Sequence, residues 1–175
     1  MHPPRKMRFV TARNDAMNEP SIEIVARLVL AVVVGAAIGL NRDLHHKQAG
    51  VRTNALVSLG AALAVLVVAP PGIDEPHHVD AMSRVIQGVL TGIGFLGAGV
   101  ILRDPEGRRV TGLTTAAAIW LAALLGVASG AGAYVPVITA LVLGLLAVAC
   151  GGRFEKWFRR LTGTTTRTSA DDTDS

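Results

Sequence analysis

Five apolar runs fill most of the chain, over residues 22–40, 51–69, 82–102, 110–128 and 133–151. Each is close to the ~20-residue length that a helix needs to cross the hydrocarbon core of a bilayer. Polar breakers fall between them: Pro70-Pro71-Gly72, Asp104-Pro105-Glu106-Gly107 and Ser129-Gly130-Ala131-Gly132. The last link is so short that the fourth and fifth runs are expected to form a tight helical hairpin. The pattern predicts an all-α fold, an integral membrane bundle of about five transmembrane helices.

The links between the runs alternate in charge. The link over 41–52 carries Arg42, Lys47 and Arg52, and the one over 103–109 carries Arg103, Arg108 and Arg109. The link over 70–83 has no Lys or Arg but has Asp74, Glu75 and Asp80, and the link over 129–136 is uncharged. After the last run come Arg153, Lys156, Arg159 and Arg160. Short basic loops are retained on the cytoplasmic side, so the expected orientation is N-terminus out and C-terminus in. Arg5, Lys6, Arg8 and Arg13 run against that orientation, which a start of translation at Met17 would explain. The region before Met17 has no apolar stretch of the kind a signal peptide carries. The organisation read from this is an N-terminal extension (1–21), a transmembrane domain (22–151), and a basic amphipathic helix with a disordered tail (152–175). In that last region Phe154, Trp157, Phe158 and Leu161 share one helical face.

Composition agrees. Of 175 residues, 50% are hydrophobic and only 17% are charged, below the roughly 25% of soluble domains. The net charge of +4 does not point to nucleic acid. The bases sit in loops and at the termini, where anionic headgroups attract them. The lipid bilayer is the expected partner. Cys150, the one cysteine, allows no intrachain disulfide or Cys-based metal site and reads as a packing residue.

One motif is discarded. Gly92, Gly94 and Gly97 have the spacing of a dinucleotide-binding loop. However, no strand precedes them, and no acid lies about 20 residues further on. Gly88, Gly92, Gly94, Gly97 and Gly99, with Gly112, are read instead as helix-packing positions that let backbones approach in lipid. No Gly-Lys-Ser/Thr loop is present, which excludes an ATP-driven pump for this chain alone.

The remaining polar residues form two groups. Arg27 and Arg84 lie inside the first and third runs, and intramembrane charge is a functional candidate by default. Glu23, four residues before Arg27, has the spacing of an ion pair on one helical face. Gln87, Gly88, Thr91 and Phe95 continue a narrow stripe below Arg84. The second group is a cytoplasmic-face cluster: Asn41, Arg42, Asp43, Arg52, Thr53, Asn54, Arg103, Asp104, Thr111, Thr114 and Thr115. Its residues suit an anion, a phosphate-bearing ligand or a partner loop, or simple helix capping. Bases outnumber acids, so no metal site is expected there. His45-His46 and His77-His78 read as solvated loop pairs. No catalytic constellation and no cofactor motif appear.

Four stretches taken together identify a family. They are Gly39-Leu40-Asn41-Arg42-Asp43, Ala49-Gly50-Val51-Arg52-Thr53-Asn54-Ala55-Leu56-Val57, the glycine-rich run from Gly92 to Ile101, and Thr111-Gly112-Leu113-Thr114-Thr115-Ala116-Ala117. In this order they closely resemble the MgtC/SapB family of bacterial inner-membrane proteins. The resemblance implies a multi-pass inner-membrane protein linked to growth in low magnesium, stress adaptation and, in pathogens, virulence. It also implies regulation of other inner-membrane proteins, the ATP synthase among them, rather than direct transport. Two features depart from the family pattern: Asn41 stands where members usually carry an acid, and the soluble C-terminal domain of some members has no counterpart here. The expectation is a non-enzymatic membrane regulator, self-associating or not, with a divalent-cation transporter subunit as the alternative.

Overall fold

The computed structural model describes the backbone of residues 5–72, 78–103 and 110–162, and the side chains of residues 20–72, 79–101 and 110–150. Five helices run in chain order: α1 (Arg5–Leu44), α2 (Val51–Val68), α3 (His78–Val100), α4 (Leu113–Gly130) and α5 (Tyr134–Thr162). Four contain segments long and apolar enough to cross a membrane: Pro20–Leu44, Val51–Val68, Val79–Val100 and Leu113–Gly130. In α5 the apolar stretch is shorter, Tyr134–Cys150. The helix continues without a break into the region expected to lie along the membrane surface, and the side chains of that amphipathic segment are outside the described residues. A spanning segment in hydrocarbon must satisfy its own backbone, which is why these runs are helices.

The all-α expectation holds with one small addition. Leu102–Arg103 (β1) and Val110–Thr111 (β2) form an antiparallel two-residue ribbon that carries α3 into α4.

α4 is the hub. Ile119, Ala122, Ala123, Leu125 and Gly126 are among its buried residues. On one side Val34 and Ile38 of α1 and Val137 of α5 pack with Ala118 and Leu125. On another, Ala61 and Val65 of α2 meet Val127, flanked by Met82, Val85, Ile86 and Val89 of α3. Ile93 of α3 seats against Ile119 and Ala123.

What draws the inner helices together is backbone contact. A Cβ on Gly35 would lie 2.5 Å from the Asn54 carbonyl oxygen, and one on Gly39 would lie 2.5 Å from the Val51 Cα. A Cβ on Gly126 would lie 2.1 Å from the Ser58 carbonyl oxygen, and one on Gly130 would lie 2.6 Å from that of Ala62. Thus α1 and α4 each bring a Gly-xxx-Gly pair onto the same helix, α2. With no hydrophobic drive between helices in lipid, such close van der Waals contact is a main source of association.

The glycines singled out from the sequence sit differently. Nothing lies within 4 Å of a Cβ built on Gly88, Gly92, Gly94 or Gly99, and Gly97 meets only the Ala116 Cβ, at 3.6 Å. Within the described residues, then, the α3 stripe packs on no other helix except at Gly97. Its packed face carries Val85, Ile86, Val89 and Ile93 instead. Gly112 is a turn residue, at φ +90°, whose added Cβ would strike the Val100 carbonyl oxygen at the end of α3. Cys150, expected to pack, is exposed.

Gly126→Ala should cost about 1–3 kcal/mol, because the α2 backbone cannot yield as a side chain would. Gly92→Ala should be neutral or stabilising by up to ~1 kcal/mol, through helix propensity alone. Unfolding of both variants in detergent micelles checks this, and equal destabilisation would contradict the assignment of the packing glycines.

Candidate functional site

The contacts fix which helix ends lie together. Arg42, near the end of α1, reaches Thr115 in the first turn of α4. Asp43 reaches Val51 at the start of α2, and Val100 at the end of α3 meets Gly112. The 41–52 link and the ribbon between α3 and α4 therefore share one pole, and these are the two basic links. At the other pole Arg27 reaches Gly130, and a Cβ on Gly72 would lie 4.0 Å from the Pro20 Cγ. Between Arg27 and Arg42 the axis of α1 rises about 22 Å, at ~1.5 Å per residue.

The pole at Arg27 is a clamp. Arg27 Nε donates to Glu23 Oε1 at 2.8 Å, and its Nη1 donates to the Gly130 carbonyl at 2.9 Å. Tyr134, at the start of α5, donates its hydroxyl to the same Glu23 oxygen at 2.5 Å. Gly132 closes the α4–α5 turn at φ +73°, with the guanidinium so near that a Cβ would be 2.7 Å from Arg27 Cζ. That left-handed backbone favours glycine there. The i, i+4 pair expected from the sequence is present, and it ties α1 to the α4–α5 hairpin. Arg84 is different. It lies exposed on the bare face of α3, as do Gln87, Thr91 and Phe95, and the Thr91 hydroxyl donates to the Gln87 carbonyl at 2.8 Å.

The pole at Arg42 holds most of the predicted cluster. Arg42 is only 3% exposed, and its Nη2 donates to Thr115 Oγ1. Its Nε has no partner, and neither does the buried Oδ1 of Asn41 or of Asn54. Asn54 is fully buried, with Nδ2 donating to the carbonyls of Ala49 and Gly50. Its Nδ2 thereby fixes the entry into α2. Asp43 Oδ2 accepts the Val51 N–H at 3.0 Å, capping that helix from the preceding one. A Cβ on Gly50 would collide with the same carboxylate. The end of α1 is closed by Lys47 N–H donating to the Arg42 carbonyl at 3.0 Å. Arg52, Thr53, Thr111 and Thr114 are exposed at this pole. Arg103 lies in β1, but its side chain, like all of Asp104, is outside the described residues. The same holds for Asp74, Glu75, His77 and the His78 side chain.

The electrostatic feature of this pole is a buried guanidinium whose resolved partner is a hydroxyl. Among the described residues, the ion pair is that of Arg27 with Glu23, and no group of three His, Cys, Asp or Glu is placed to hold a metal. Arg42 and Thr115 are identifiable in the sequence, but their pairing, which joins residues 73 positions apart, is not.

Asp43→Ala should destabilise the protein by about 1 kcal/mol, the usual cost of losing a cap. Asp43→Asn, which keeps an acceptor oxygen, should cost much less. Chemical unfolding in micelles checks the difference, and equal losses would contradict the capping role.

The model of the MgtC family matches residues 28–157. SrpB of Synechococcus elongatus is 50% identical over 113 residues, 61% of this chain and 62% of its own length. MgtC of Salmonella typhimurium LT2 is 41% identical over 123 residues, 70% of this chain and 50% of its own. YhiD of Escherichia coli K12, described as a proposed magnesium transporter, is 38% identical over 130 residues, 72% of this chain and 59% of its own. The chain thus spans half to about three-fifths of the length of these relatives. No solved structure matches.

Proposed function

The chain belongs to the MgtC family, and from that premise we propose that it is a multi-pass inner-membrane protein that serves adaptation to low magnesium as a non-enzymatic regulator. The working surface in this reading is the Arg42 pole, turned to the cytoplasm. The observation that carries it is the gathering of both basic links at that one end. Basic loops are retained inside, and the exposed Arg52, Thr53 and Thr114 would be presented there to another membrane protein. By family resemblance the ATP synthase is one such partner.

A transporter for magnesium, the activity proposed for YhiD, is the second reading. A divalent cation crossing hydrocarbon needs acids along its path. The four candidate spans carry acids only near their ends: Glu23, Asp43 and Asp80. Glu23 is committed to Arg27 and Tyr134, and Asp43 to the cap of α2. This supports regulation over conduction.

The test pairs two assays. In a host lacking its own family member, the chain should restore growth in low magnesium, and Arg52→Ala should reduce that growth to the empty-vector level at normal protein abundance. In proteoliposomes under a magnesium gradient, the purified protein should pass no more ion than empty liposomes. Flux in the wild type that Arg52→Ala abolishes would replace the regulator with a transporter.

A further inference from the structure

α3 turns its polar side away from the bundle. Met82, Val85, Ile86, Val89 and Ile93 pack toward α2 and α4. At about 3.6 residues per turn, Asp80, Arg84, Gln87, Thr91 and Phe95 fall on the opposite side, and all five are exposed. A surface helix in water is built this way, but this helix contains a candidate span, Val79–Val100. Counting from Val79, Gln87 lies ~12 Å and Thr91 ~18 Å along a segment of ~33 Å. Thr91 satisfies its hydroxyl on the Gln87 carbonyl at 2.8 Å. Among the described residues, no hydrogen bond or ion pair engages the Gln87 amide, the Arg84 guanidinium or the Asp80 carboxylate. Polar side chains within a span face protein or water, because hydrocarbon offers them no partner. This face is therefore one that another polypeptide covers.

We propose that the cover is the same face of a second copy of this chain, in a two-fold dimer joined through α3. Copies in one bilayer share an orientation. A two-fold axis along the membrane normal therefore sets two α3 helices side by side, with equal depths opposed. The exposed groups are complementary to themselves in that arrangement. Gln87 meets Gln87 of the second copy, and a primary amide is both donor and acceptor, so each satisfies the other. Asp80 and Arg84 have opposite charge and lie one turn apart without pairing in their own chain. In an isologous contact each meets the other's counterpart, which gives two ion pairs. Gly88, Gly92 and Gly99 beside this line have nothing within 4 Å of an added Cβ, so the helices can approach closely. The dimer is the same whichever pole faces the cytoplasm, and it stands apart from the regulator reading.

The experiment follows energy transfer between donor-labelled and acceptor-labelled full-length chains in liposomes, over a dilution series in lipid. The dyes sit on Gln48→Cys in a Cys150→Ala background. The chain should show a saturable dimer, and Gln87→Leu should weaken it by about tenfold. Leu63→Ala, on the exposed face of α2, should leave it unchanged. Asp80→Arg and Arg84→Asp should each lose pairing alone, because like charges then meet. Mixed with each other, those two variants should pair again, which only a contact between copies explains. Energy transfer at the random level for the unsubstituted interface, or insensitivity to Gln87→Leu, would overturn the proposal. So would a mixture that pairs no better than its parts. In native membranes, oxidation of Thr91→Cys in the Cys150→Ala background should give a product of twice the 18.2 kDa chain mass. A product of another mass alone would make a different protein the occupant and overturn the dimer.

Discussion

The contact on which the rest depends is the backbone approach of α1 and α4 to α2. Gly35 and Gly39 on one side, and Gly126 and Gly130 on the other, let main chain meet main chain where any side chain would collide. The Ser58 and Ala62 carbonyls of α2 are the surfaces against which α4 is seated. This close triplet sets the spacing that brings α1 and α4 within reach of each other at both ends. Arg27 then meets the Gly130 carbonyl at one pole, and Arg42 meets Thr115 at the other. The two arginines act as end ties on a core made largely of Ala, Gly and Val. α3 and α5 are added outside, and most of their described side chains, over 79–100 and 134–150, are left for lipid or a partner.

The architecture was legible because hydrocarbon leaves few alternatives. A run of about 20 apolar residues must be helical, and the two links that are basic in sequence adjoin one pole of the bundle. The packing glycines were not legible. Gly35–Gly39, Gly88–Gly92 and Gly126–Gly130 all have the same spacing, and nothing local says which pair meets a neighbour. Glycine is densest in α3, while the structure uses the spacing on α1 and α4. Only the pairing of helices decides this, and pairing is a long-range property.

The site was legible in part for the same reason. Residue type and position near a span end pointed to Arg42, Asp43, Asn54 and Thr115, and these do share one pole. Their roles were not readable. Asp43 and Asn54 organise the α1–α2 turn, whereas Arg42 is buried against α4. The neighbouring Asn41 leaves its Oδ1 unpartnered beside them.

In the proposed function the two poles have different tasks, with the Arg42 pole facing the cytoplasm. The measurement that tests it most directly is thiol labelling with a membrane-impermeant maleimide in a Cys150→Ala background. Gln48→Cys reports the Arg42 pole and Ala131→Cys the Arg27 pole, both exposed positions in short links. Intact spheroplasts should label Ala131→Cys and spare Gln48→Cys, and inside-out vesicles should do the reverse. Labelling of Gln48→Cys from outside would invert the bundle and remove the cytoplasmic surface on which the account rests.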